Sequence, residues 1–183
     1  MALTREQVAI ARDWTARQFE EAGIALTPAE RERIEVSDFG LSDLERIGLQ
    51  LLVYVNTQRV CAKEIVLLPH QTCPEHRHVS VGSEQGKEET FRCRRGTVYL
   101  YVEGEPTTEP KASPSRRERG VYTAWHEVIL NPGDQHTIYP DTLHWFQAGP
   151  EGAIVSEFST RSTDQYDVFT DPQIARLTVV ADD

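Results

Sequence analysis

Gln50-Leu51-Leu52-Val53-Tyr54-Val55-Asn56-Thr57-Gln58-Arg59-Val60-Cys61-Ala62-Lys63-Glu64-Ile65-Val66-Leu67-Leu68 reads as two extended segments around a short polar turn. Gln50–Asn56 and Val60–Leu68 are rich in β-branched and apolar side chains, and Thr57-Gln58-Arg59 between them supplies a hairpin. The same texture recurs downstream. Thr90–Cys93 and Thr97–Val102 flank Arg94-Arg95-Gly96, where glycine can take positive φ in a tight turn. Further strands are expected at Tyr122–Leu130, His136–Tyr139, His144–Ala148 and Ala153–Ser159. After a polar tail, Thr160–Pro172, a last edge strand is expected at Ile174–Val180. Glu103–Gly120 is rich in Pro, Ser, Thr and charge, which predicts an exposed loop. Many short strands separated by turn signals predict an all-β chain: one antiparallel β-barrel or jelly roll.

Upstream the periodicity is helical. Thr4-Arg5-Glu6-Gln7 matches a capping box; Val8, Ala11, Phe19 and Ala22 share a face, and Gly23 ends the helix. Thr27-Pro28-Ala29-Glu30 repeats the start signal for a second, short helix. The expected division is a helical segment over 1–48 packed outside a barrel over 49–183, in one structural domain.

The chain has 183 residues, 19 basic and 29 acidic, with a net charge of −10. That balance argues against nucleic acid or an anionic membrane as partner. Arg116-Arg117-Glu118-Arg119 is broken by a glutamate inside the Pro/Ser-rich stretch and reads as a solvated loop. Met1-Ala2-Leu3-Thr4-Arg5-Glu6 turns charged at once and offers no apolar signal core, and Leu51-Leu52-Val53-Tyr54-Val55 is far too short to span a bilayer. Cys61, Cys73 and Cys93 are an odd number without CxxC spacing, so neither a disulfide framework nor a thiolate zinc site is expected. A cytoplasmic location fits these features.

The chemistry concentrates in Pro74-Glu75-His76-Arg77-His78 and Gly86-Lys87-Glu88-Glu89-Thr90-Phe91. Strand side chains alternate, so His76 and His78 point the same way. By the same parity Lys87, Glu89 and Phe91 share a face and Glu88 points away. Glu89 is therefore the carboxylate that joins the two imidazoles, with Lys87 beside it, and His144 could close the site. Three neutral imidazoles and a carboxylate suit Mn²⁺, Fe²⁺, Zn²⁺, Co²⁺ or Ni²⁺ better than Mg²⁺ or Ca²⁺. On Ala153–Ser159, Glu157 interrupts an otherwise small or apolar face.

These motifs resemble the cupins: His76-x-His78, then Glu89 and Gly96, and later Gly133-Asp134, Pro140 and His144. The chain departs from that pattern in residues 79–88, which intervene where the cupin motif has only a few, and in lacking the usual glycine before the last histidine. Val79–Gly86 reads as an inserted loop at the barrel mouth. Within cupins, the stretches 60–64, 86–94, 142–149 and 156–160 resemble the D-lyxose isomerase family, from about Ile34 to Pro172. The resemblance implies a metal-dependent aldose–ketose sugar isomerase acting on D-lyxose and D-xylulose, with D-mannose and D-fructose as a second candidate pair, through a metal-stabilised cis-enediol. It implies manganese held by His76, His78, Glu89 and His144, a homodimer, and proton transfer shared by Lys87 and Glu157. Glu157 is assigned as base at the substrate carbon and Lys87 as acid or oxygen polariser, with the reverse assignment open. A lysine between a divalent cation and apolar walls is expected to have a lowered pKa. His136 could meet a sugar hydroxyl, and Phe146, on the face of His144, could wall the pocket, with Trp145 pointing the other way. His70 and His126 have no expected ligand role, and Cys61 and Cys93 read as core. Two rivals share the motif: an Fe²⁺ cupin dioxygenase, which needs no lysine–glutamate pair and a more apolar pocket, and a non-catalytic sugar-binding cupin.

Overall fold

A computed structural model describes residues 3–181. Met1 and Ala2 of the amino-terminal reading, and Asp182 and Asp183 at the end of the 49–183 span, lie outside them. The helices form where the caps place them. In α1 (Arg5–Glu21) Thr4 Oγ1 accepts from the Gln7 amide while the Gln7 side chain accepts from the Thr4 amide. α2 (Pro28–Glu32) starts with the same reciprocal pair, Thr27 and Glu30. α1 lays Ala16 and Phe19 on Leu52, Val66 and Ile154, one face of the sheet.

The described strands are β1 (Glu35–Ser37), β2 (Leu49–Asn56), β3 (Cys61–Leu67), β4 (Thr72–Arg77), β5 (Glu89–Val102), β6 (His126–Leu130), β7 (Gln135–Ile138), β8 (His144–Ser159) and β9 (Val168–Phe169). Their pairings are antiparallel, as the sequence predicts. β5 and β8 run side by side from Glu89↔Ser159 to Val102↔His144. The first half of β5 also pairs with β7 and its second half with β6. The late half of β8 pairs with β3 and its early half with β4. Two long strands are thus shared by two layers, and the sheet curls over a core that includes Phe39, Leu51, Ile65, Phe91, Leu100, Phe146 and Val155.

This sharing overturns the hairpin expected at Arg94-Arg95-Gly96. The chain does not reverse there but continues as one strand with bulges at Cys93/Arg95 and Gly96/Val98. Gly96 does take positive φ (72°), and it uses it to bend the strand: a Cβ there would stand 2.0 Å from the Gly152 carbonyl oxygen. His144–Ala148 and Ala153–Ser159 likewise merge into β8.

The edge strand expected at Ile174–Val180 is replaced by a single bridge, Leu3↔Val180, among the described residues. Burial still alternates there, with Ile174, Arg176 and Thr178 half-buried and Ala175, Leu177 and Val179 exposed, and Arg176 lies 2.7 Å from Glu35. The 103–120 excursion is less solvated than expected. It folds back so that Ala112 packs with Tyr101 and Trp145, and Arg116 pairs with Asp171 at 2.7 Å while Arg117 lies over Trp125. Glu75 fastens this excursion to β4: its buried carboxylate accepts from the Thr123 and Ala124 amides and from the Thr123 and Thr170 hydroxyls. No helix among the described residues is long and apolar enough to cross a membrane.

Candidate metal centre and active site

β4 carries His76, the residue just beyond its end is His78, and β8 begins at His144, which faces His76 across the strand pair. The three buried rings stack around a point, with centroids 4.3 to 5.2 Å apart, and can offer nitrogens within 4.8 Å of one another. Glu89, first residue of β5, completes the group: its Oε1 is 3.2 Å from His78 Nε2 and 3.0 Å from His144 Nε2. The parity reading of Glu89 over Glu88 therefore places the right carboxylate inside, and Glu88 is exposed.

The protons on these rings can be assigned by what each nitrogen faces. His76 Nδ1 lies 2.8 Å from the Pro74 carbonyl and His144 Nδ1 lies 2.9 Å from the Thr142 carbonyl. A carbonyl only accepts, so both Nδ1 atoms carry the proton and both Nε2 atoms of the neutral rings present lone pairs. Burial and the neighbouring rings hold His76 well below the ordinary histidine range, which keeps it neutral. His144 Nε2 is buried and lacks a hydrogen bond, although it stands 3.0 Å from the Glu89 carboxylate. That contact needs a proton or a metal cation between the two atoms, since two bare lone pairs would repel. His78 Nδ1 is 2.6 Å from Asp167, a carboxylate–histidine contact of the kind that orients metal-bound imidazoles. Burial opposes charge on His78, but Glu89 and Asp167 raise its pKa to about 9. The donor set fits a divalent transition metal.

Next to this group lies a network of charges. Lys87 Nζ contacts Glu89 at 2.7 Å, Glu157 at 3.2 Å and Asp164 at 3.2 Å. Lys63 Nζ contacts Asp164 at 2.6 Å and Glu157 at 3.5 Å. Ser159 Oγ donates to Glu157 Oε1 at 3.1 Å. Glu157 Oε1 thus gathers the Lys87, Lys63 and Ser159 donors, and the side chain lines the cavity.

The expected lowering of the Lys87 pKa is reversed in the protein's own field. Burial does pull it down, but Asp164, Glu157, Glu89 and Asp167 together push it well above the ordinary lysine range. Burial would likewise raise Glu89, yet Lys87 and His78 hold it well below the carboxylate range.

The cavity beside this group is walled by His76, Lys87, Glu89, Phe91, Phe146 and Glu157, among others. Phe146 stands edge-on to Phe91 in that wall. His136 pairs with Phe91 across β5 and β7 but is half-buried and not part of the wall. Trp145 points away, stacked on Tyr101 beneath the excursion. His70 and His126 are exposed, and Cys61 and Cys93 are buried. The Val79–Gly86 loop contributes nothing to the wall; residues 164–176 close it instead, through Asp164, Phe169 and Arg176.

Lys63, Asp164, Asp167 and Arg176 were not anticipated. Lys63 left a signal: it shares strand parity with Cys61 and Ile65, which are core, so its charge points inward. Asp164 and Asp167 lie in and just after a single 3₁₀ turn, where no strand parity exists to read, and Arg176 lies on the inward parity of 174–178.

A sequence profile of the D-lyxose isomerase family matches residues 10–183. The chain is 64% identical over 162 residues to a D-lyxose/D-mannose isomerase of Thermosediminibacter oceani, covering 88% of this chain and 90% of that one. It is 58% identical over 170 residues to a D-lyxose ketol-isomerase of Cohnella laeviribosi, covering 93% of each. Among solved structures, L-ribose isomerase of Acinetobacter sp. DL28 in complex with L-ribose superposes with a TM-score of 0.82 over 98% of both chains at 16% identity, a likeness of fold.

Proposed function

Because the chain belongs to the D-lyxose isomerase family, an aldose–ketose isomerase family, we propose that it interconverts D-lyxose and D-xylulose with a divalent cation held by His76, His78, Glu89 and His144. The observation that carries this reading is the placement of Glu157 and Lys87, 3.2 Å apart, beside the histidine–glutamate group. A cation there would stabilise negative charge developing on the sugar oxygens, and Mn²⁺ is the ion the family resemblance favours. Glu157, which lines the cavity, takes the proton from C2 of the open-chain aldose and returns it to C1. Lys87 donates a proton to the carbonyl oxygen as the carbon proton leaves and recovers one from the neighbouring hydroxyl. Asp164 and Glu89 keep the amine protonated until that moment. Phe91 and Phe146 exclude water from the wall, which limits exchange of the carried proton.

An apolar pocket of the dioxygenase kind would not surround its ion with two lysines and two further carboxylates. A second substrate follows from the Thermosediminibacter oceani relative, whose name includes D-mannose. D-Mannose repeats the D-lyxose configuration at C2, C3 and C4 and adds one CH₂OH, so the reacting end is unchanged. The test is to assay metal-free and Mn²⁺-loaded protein for D-lyxose–D-xylulose exchange in deuterated water, with D-mannose in parallel. Metal-dependent isomerisation is expected, with deuterium at the transferred carbon well below the solvent level because the site limits exchange. No metal-dependent isomerisation of any pentose or hexose would overturn the reading.

A further inference from the structure

Lys63 is the buried cation that the proposed proton transfers leave unused. It sits on β3 directly opposite Glu157 on β8, so both side chains enter the barrel from neighbouring strands. Its ammonium is nearly inaccessible to solvent and is held by Asp164 Oδ2 at 2.6 Å, Ser162 Oγ at 3.0 Å and Glu157 Oε1 at 3.5 Å. Lys87 touches the same two carboxylates at 3.2 Å each. The four groups close into a ring of alternating charge, Lys63–Glu157–Lys87–Asp164. Ser162 braces it by donating to Asp164 Oδ1.

The two lysines differ in what else they reach. Lys87 also contacts Glu89 of the histidine–glutamate group, whereas Lys63 contacts Ser162, Asp164 and Glu157. Glu157 Oε1 is therefore held from two sides, by Lys87 and, from the neighbouring strand, by Lys63.

We propose that Lys63 is a positioning residue for the isomerisation, whose ammonium on the neighbouring strand pins Glu157 Oε1 beside Lys87 and so sets how that carboxylate meets the substrate. It does not touch the sugar. This inference rests on the function proposed above, so the wild-type protein serves as the internal control.

The experiment uses the full chain loaded with Mn²⁺, as wild type, Lys63→Gln and Lys63→Ala. Gln keeps a hydrogen-bond donor toward Asp164 and removes the charge; Ala leaves room for a small amine. Metal content, KM and kcat for D-lyxose, and methylammonium rescue are measured. For Lys63→Gln, kcat is expected to fall about 10- to 100-fold, with KM within about 3-fold and bound Mn²⁺ unchanged. In Lys63→Ala, methylammonium is expected to restore part of kcat while equal concentrations of methanol or sodium chloride do not. A purely structural role would not produce that selectivity. If Lys63→Ala does not fold, the kcat-against-KM split of Lys63→Gln decides alone. A folded, metal-loaded Lys63→Gln with wild-type kcat overturns the inference, as does loss of kcat in Lys63→Ala that methylammonium leaves unrelieved. A wild type inactive on every sugar sinks the proposed function instead.

Discussion

Replacing Glu75 with alanine is expected to destabilise the fold strongly without removing a cavity residue. Its carboxylate is buried and neighbours His76 on β4, but points to the other face of the strand, where four donors converge on it. Thr123 N and Ala124 N donate to Oε2 at 2.7 Å each; Thr123 Oγ1 donates to Oε1 at 2.8 Å and Thr170 Oγ1 at 2.7 Å. In Glu75→Ala the two hydroxyls can rotate to other acceptors, but two backbone amides are left unpaired. Each such amide costs about 1–3 kcal/mol, and truncating a buried charged acceptor costs about 3–5 kcal/mol in all. Glu75→Gln behaves differently. Its amide oxygen can still take both backbone N–H groups, and its NH₂ can meet hydroxyls turned to accept, so only charge assistance is lost, about 1 kcal/mol. Urea denaturation of the metal-free variants measures both. At this chain length the alanine variant should also melt roughly 10 °C lower. An alanine variant within about 1 kcal/mol of wild type, or a glutamine variant as damaged as alanine, would refute the reasoning.

Glu157→Gln should lower kcat by about 10²- to 10⁴-fold while Mn²⁺ content, read by metal analysis, stays at the wild-type level; metal loss would make Glu157 a ligand. Asp167→Asn should weaken metal affinity about 10- to 100-fold in a chelator competition, because the His78 ring loses its anionic partner while all ligands remain. Unchanged affinity would show that Asp167 does not act through His78. Gly96→Ala should lower stability by more than about 2 kcal/mol in denaturation, since it meets both a φ of 72° and the Gly152 carbonyl. A neutral result would mean that the β5 bend tolerates a side chain.

The histidine–glutamate group and much of the barrel were legible because they obey strand parity. His76 and His78, and then Lys87, Glu89 and Phe91, alternate along extended chain, and alternation is written in the sequence. Parity also held a clue in Lys63, whose charge lies on the inward side of β3 beside Cys61 and Ile65. The glycine at position 96 was read correctly as a positive-φ residue, but its use was not readable: the same backbone angle serves a hairpin or a bulge. Which one forms depends on whether a partner strand lies alongside, and here β8 does.

The sequence by itself determined the antiparallel all-β character, the helix caps, and the inward direction of the histidines, Glu89 and Lys87, because local backbone periodicity sets all of these. Tertiary structure alone decided that β5 and β8 run unbroken through both layers, and that residues 164–176, not the Val79–Gly86 loop, contribute side chains to the cavity wall. It also brought Asp164 and Asp167 onto Lys63, Lys87 and His78 across separations of 77 to 101 residues. No local pattern can encode such pairings. They form because buried ammonium and imidazole groups need carboxylate partners once water is gone, and only the folded chain determines which carboxylates are within reach.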